Sequence, residues 1–213
     1  MLMPLLLNML YVALAAAYLW LDAGGDIPLH FLLKILPLLL LSGWVLRVAP
    51  VRQHLPLLAA LAFSMLGDVL LALDGQRLFV FGLGAFLLAH LWYLLAMRPF
   101  AGHRPLLLLP YALFAAGVLT LMWPGLGAMA VPVLGYISVI LSMSYGTWCS
   151  SRRNAWLIGG GLLFISSDCL IGLNRFWQPL PGAGLWIMLS YYAAQYALVR
   201  GLLTQQAAAR RQD

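Results

Sequence analysis

Apolar runs of roughly 20 residues, the length that crosses about 30 Å of hydrocarbon as a helix, recur along the whole chain with short polar connections between them. Eight transmembrane helices are predicted, over about 3–21, 30–47, 55–73, 78–97, 105–122, 129–149, 155–173 and 183–202. The runs are continuous rather than alternating with period two, which excludes a transmembrane β-barrel. The reading is one all-α integral membrane domain over residues 1–213 with no soluble domain. The first run has no basic residue before it and is long, so it reads as a retained helix rather than a cleaved leader.

Two polar interruptions share a pattern. Gly67-Asp68-Val69-Leu70-Leu71-Ala72-Leu73-Asp74 and Ser167-Asp168-Cys169-Leu170-Ile171-Gly172-Leu173-Asn174 both fit small-Asp-x-Leu-aliphatic-small-Leu-Asp/Asn. A carboxylate near the middle of a bilayer costs at least a few kcal/mol. This chain has six acidic residues and no Glu, yet two of the six stand inside apolar runs. Asp68 and Asp168 are therefore the first candidates for function. The alternative is a pair of packing carboxyls, protonated or partnered.

Composition agrees with the pattern. The chain is 64% hydrophobic and 8% charged, against about a quarter charged in a soluble domain. The net charge of +6 does not point to nucleic acid, because its distribution has a simpler cause. With the N-terminus inside, Arg47, Arg52, Arg98, Arg104, Arg152, Arg153, Arg200, Arg210 and Arg211 fall on the cytoplasmic side. Arg77 and Arg175 fall outside, beside Asp22, Asp26 and Asp74. The positive-inside rule then places both termini in the cytoplasm, and a bacterial inner membrane is the expected location. Trp20, Trp123, Trp177 and Trp186 near outer ends, with Trp44, Trp148 and Trp156 near inner ends, suit interfacial belts. Cys149 and Cys169 fall near opposite faces, beyond the roughly 4.4–6.8 Å Cα separation of a disulfide. No Cys/His cluster has zinc spacing, so neither metal nor cofactor is expected.

The two Asp motifs lie 100 residues apart, in the third and seventh runs. An even number of crossings separates them, so both helices run from inside to outside. That suggests two parallel four-helix halves, 1–100 and 101–213, with chance likeness of Leu-rich helices as the alternative. Pro37, Pro110 and Pro132 fall within runs, where kinks open cavities. Gly159-Gly160-Gly161 reads as close helix packing.

At about 1.5 Å per residue, Asp68 and Asp168 each lie roughly 9 Å below the outer helix end. Lys34 shares that layer, as one member of a buried charge cluster or as a snorkelling side chain. Ser64 stands one turn before Asp68 on the same face. Other polar residues follow helical spacing: His90 with Tyr93, Tyr136 with Ser138 and Ser142, and Tyr191, Tyr192 and Gln195. His90 and Gln195 are placed roughly 10 Å below the aspartates. The expected pocket is elongated, polar at its outer end and apolar below, which suits an amphiphile.

No G-x-S-x-G elbow, H-E-x-x-H or Walker-type phosphate loop is present. Two carboxyls sharing a low-dielectric site resist double ionisation, leaving one as acid and one as base. That suits acid-initiated hydrolysis of an ether-type bond, and it also suits proton-coupled transport of a small molecule or lipid.

Lys34 with Pro37, Phe63-Ser64-Met65-Leu66-Gly67-Asp68, Phe86 with His90 and Tyr93, Ser167-Asp168 with Asn174 and Phe176, and Tyr191-Tyr192 with Gln195 form an ordered set. With these residues the chain resembles the YhhN / TMEM86 family of polytopic membrane proteins, whose characterised members are lysoplasmalogenases. The resemblance spans nearly the whole chain and implies the same eight-helix plan. It implies cleavage of the vinyl ether bond of a 1-alkenyl lysophospholipid to a fatty aldehyde and glycerophosphoethanolamine or glycerophosphocholine. Asp68 and Asp168 would then be catalytic, one as general acid and one stabilising the cation and activating water. Lys34 would hold a carboxylate ionised or contact the lipid phosphate. Ser64, His90, Tyr93, Tyr136, Ser167, Asn174, Tyr192 and Gln195 would line the substrate pocket. The expected partners are the lysophospholipid and membrane lipid, with the protein a monomer or homodimer.

Overall fold

A chain this apolar must satisfy its own backbone N–H and C=O groups, and helices do so within each segment. The computed structural model describes residues 3–23, 30–48 and 50–209, and among them every regular element is helical. The α-helices are α1 (Leu5–Ala23), α2 (His30–Val48), α3 (Val51–Leu73), α4 (Phe79–Ala96), α5 (Leu108–Leu126), α6 (Ala130–Cys149), α7 (Ala155–Phe176) and α8 (Ala183–Ala209). Each overlaps a predicted run. Asp26, Arg210 and Arg211, used above to orient the chain, lie outside the described residues.

Six stretches are long and apolar enough to cross a membrane, the longest being Pro105–Cys149. This stretch is a hairpin of two helices. Tyr111 near the start of α5 meets Ser144 (2.8 Å) near the end of α6, and Met122 and Leu126 pack with Val133 at the turn. α8, which carries Gln195, Arg200 and Thr204, is not among the six. The protein is an all-helical integral membrane protein.

Two of the three predicted kinks do not form. Pro37 is inside α2, but Pro110 and Pro132 fall in the first turns of α5 and α6. A first-turn N–H has no intrahelical acceptor, so proline removes nothing there. Pro56 and Pro124 are the other helix-internal prolines.

Antiparallel pairing organises the bundle. α3 lies along α4, and α7 along α8. A Cβ on Gly160 would stand 2.8 Å from the Leu198 backbone nitrogen, and one on Gly201 would stand 2.7 Å from that of Leu157. Only glycine permits this approach, so the packing reading holds for Gly160. Asn154 fixes the start of α7: its Oδ1 accepts from Leu157 N (3.0 Å) and its amide donates to Gly201 O (2.9 Å). α1 lies against α8, with the Tyr11 hydroxyl donating to Tyr192 O and the Tyr196 hydroxyl to Asn8 Oδ1.

The main core draws on α1, α2, α3, α4, α6, α7 and α8. Trp44 belongs to it and is buried, so it is no belt residue; its indole packs inward with Leu41 and Val45. α5 stands apart. Its buried residues are Met122 and Leu126, while Leu109, Leu113 and Trp123 are exposed. A helix so apolar and so little covered faces lipid, and its loose seating leaves space behind it.

Candidate active site

Asp68 is buried in α3 and fully partnered. Lys34 Nζ of α2 stands 3.3 Å from Oδ1, and the Tyr191 hydroxyl of α8 donates to Oδ2 at 2.6 Å. Side chains on a helix lean towards its N-terminus. Lys34 stands four residues after the start of α2 and Asp68 five before the end of α3. The two antiparallel helices bring them to one level, where the long Lys34 side chain reaches the carboxylate. Pro37 removes from the α2 ladder the N–H that would meet the Leu33 carbonyl, and the adjacent Lys34 carbonyl accepts the Tyr192 hydroxyl at 2.8 Å.

Asp168 on α7 has a different setting. The Tyr136 hydroxyl of α6 donates to Oδ2, and His90 Nε2 of α4 lies 3.8 Å from the same oxygen. His90 is buried, 4.6 Å from the Phe164 ring and 5.5 Å from that of Tyr136. The sequence reading placed His90 about two turns below Asp168, and this is corrected. Rise along an axis ignores side-chain lean: α4 and α7 are antiparallel, so the two side chains converge.

The expected single cluster of Lys34, Asp68 and Asp168 is therefore two clusters. Phe164 stands between them, 5.6 Å from the Tyr191 ring on one side and 4.6 Å from His90 on the other. Asp68 takes its partners from α2 and α8, Lys34 and Tyr191, and Asp168 takes its partners crosswise from α6 and α4, Tyr136 and His90.

A cleft opens between α4, α5, α6 and α7. Its walls include Phe86, Phe114, Met122, Ile140 and Phe176, and its one charged residue is Asp168, with Tyr136 beside it. Of the predicted site residues only these two line it. The cleft does not extend to Gln195, whose Oε1 accepts the Tyr93 hydroxyl inside the bundle. Ser167 Oγ donates to Ile187 O (3.0 Å), joining α7 to α8. Asn174 Oδ1 accepts from Leu180 N (2.8 Å) and shapes the connection after α7. Tyr192 is occupied by Lys34 O. Ser64 is buried with no hydrogen-bond partner for Oγ. Ser138 and Ser142 bond to carbonyls of their own helix, away from the site.

The α5 residues of the cleft, Phe114 and Met122 among them, were missed. They are apolar residues in an apolar helix and carried no signal except position. Among the described residues no three His, Cys, Asp or Glu side chains are placed to hold a metal ion.

The model of the YhhN family matches residues 29–202. The chain belongs to the YhhN family. Its relatives there include a lysoplasmalogenase of Mycobacterium bovis, 34% identical over 159 residues, covering 70% of this chain and 61% of that protein. Human lysoplasmalogenase TMEM86B is 36% identical over 174 residues, with 81% and 74% covered. Lysoplasmalogenase TMEM86A of Bos taurus is 31% identical over 195 residues, with 83% and 79% covered. This YhhN-family chain thus spans less than two thirds of the mycobacterial relative's length. No solved structure matches it.

Proposed function

We propose that this protein hydrolyses the vinyl ether bond of 1-alkenyl lysophospholipids, with Asp168 as the proton donor. The observation that carries the reading is the position of Asp168 as the one carboxyl on an apolar cleft that faces α5 and the lipid. Relatives named lysoplasmalogenase agree with it.

A vinyl ether breaks after a proton adds to its β-carbon. Asp168 gives that proton, and the π electrons form the new C–H bond, leaving an oxocarbenium ion beside the new carboxylate. Water adds to the cationic carbon and returns a proton to Asp168, which acts first as acid and then as base. The hemiacetal loses its hydroxyl proton as the glycerol oxygen gains one, giving fatty aldehyde and glycerophosphoethanolamine or glycerophosphocholine. The Tyr136 hydroxyl supports the carboxylate form in a site with little water. Asp68, held by Lys34 and Tyr191, acts at one remove by fixing α2, α3 and α8. This differs from the shared roles expected of the two aspartates.

The helices alternate in direction, and Arg47, Arg52, Arg98, Arg104, Arg152 and Arg153 stand at one set of ends. Both features support eight crossings with cytoplasmic termini. The crosswise partnering of the two aspartates supports a duplication of halves 1–100 and 101–213.

The test is aldehyde release from 1-alkenyl lysophosphoethanolamine by the purified protein in detergent. No gradient exists there, so turnover supports hydrolysis, and its absence from folded protein contradicts it. Proton-coupled transport has less support, because Asp68 is locked in an ion pair rather than open to a pathway.

A further inference from the structure

A lysophospholipid bearing ethanolamine or choline carries a phosphodiester anion, and the only charged group the cleft lining offers it is the carboxyl of Asp168. A cation must meet the phosphate at the rim. Lys34, the candidate from sequence, is engaged with Asp68 at 3.3 Å inside the bundle, whereas Arg175, which like Lys34 lies outside the lining itself, adjoins the lining residue Phe176. We propose, resting on the hydrolase reading above, that Arg175 is the phosphate-binding residue of this site.

Phe79 and Phe176 close one end of the cleft, their rings edge to face at 5.8 Å. The Arg175 guanidinium lies over the Phe79 ring, with Cζ 3.8 Å from the centroid, and 5.9 Å from that of Phe176. Nη1 donates to Gly75 O at 2.9 Å. Among the described residues no carboxylate pairs with Arg175. A guanidinium has five N–H donors in a planar fork that fits phosphate oxygens two at a time. Stacking on Phe79 fixes the plane and leaves the remaining edge for an anion. Arg77, the other cation at this end, is 90% exposed and pairs with Asp74 at 3.8 Å, so it is neither fixed nor free.

The spacing also fits. Arg175 follows Asp168 by seven residues, two turns on the same face and about 10 Å of rise. Its side chain leans back over the preceding turn, towards Asp168. The glycerol bridge between a vinyl ether and its phosphorus covers a span of that order. The phosphate would stand at the polar end, where Asp74, Gln76 and Arg77 are found, with the vinyl ether at Asp168.

The experiment is binding to the purified full chain in detergent, by calorimetry, of two ligands that cannot be cleaved: a 1-O-alkyl lysophosphoethanolamine and the matching 1-O-alkylglycerol. The wild type is expected to prefer the phosphate-bearing ligand by roughly ten-fold or more. Arg175→Gln should erase that preference while keeping the alkylglycerol affinity, and Arg175→Lys should retain part of it. An undiminished preference in Arg175→Gln, no preference in the wild type, or equal loss of both ligands would overturn the assignment. No turnover enters this measurement. Failure of the hydrolase reading would show separately, as absence of aldehyde from the wild type.

Discussion

Lys34 Nζ and Asp68 Oδ1 lie 3.3 Å apart inside the bundle, and the contact divides the two aspartates by role. Asp68 is buried, neutralised by Lys34 and bonded by the Tyr191 hydroxyl. Asp168 has no lysine or arginine beside it and opens on the cleft.

Removing one member of a buried pair strands the other charge, a loss of about 3–5 kcal/mol. Lys34→Met and Asp68→Leu should each lower the melting temperature in detergent, and the double variant Lys34→Met with Asp68→Leu should recover much of the loss. Additive losses in this cycle would show that the pair contributes nothing as a pair. Turnover per folded molecule in Asp68→Asn should fall far less than the yield of folded protein.

Gly67 packs flat on the Phe86 ring. A Cβ there would stand 2.6 Å from two ring carbons. Gly67→Ala should destabilise by about 1–3 kcal/mol, read as a melting shift. An unshifted melt would mean that α3 and α4 separate without cost.

The helices were legible in the sequence because unbroken apolar runs of spanning length admit one structure. The partnering was not. Lys34 and Asp68 were placed in one layer, but His90 was set two turns too low, since counting rise says nothing of which way a side chain leans. Asn174 and Ser167 looked like site residues through the repeated motif, yet backbone groups at Leu180 and Ile187 occupy them. Those acceptors and donors come from other elements and leave no trace in local spacing. The cleft was hidden for a different reason: it depends on how loosely α5 is seated, a property of packing rather than of pattern.

Gly172 lines the cleft, and a Cβ on it would meet the flexible end of Met122, with Cε at 2.9 Å. Gly172→Leu should fill cleft volume and shift preference towards shorter alkenyl chains. Rates measured across a series of chain lengths check this, and an unchanged profile would place the chain elsewhere.

Tyr136→Phe keeps the ring beside His90 and removes the donor to Asp168. A hydrogen bond to a charged group contributes about 1.5–3 kcal/mol, so kcat should fall roughly 10-fold or more with KM little changed. An unchanged kcat would remove Tyr136 from the mechanism.

Asp168→Asn tests the central claim most directly. The substitution keeps the shape of the side chain and removes its proton. Aldehyde release from 1-alkenyl lysophosphoethanolamine by the purified variant should fall by about 10²–10⁴-fold, while its melting temperature and its binding of the saturated alkyl analogue stay near wild type. A folded Asp168→Asn variant that binds the analogue and cleaves at the wild-type rate would contradict the account.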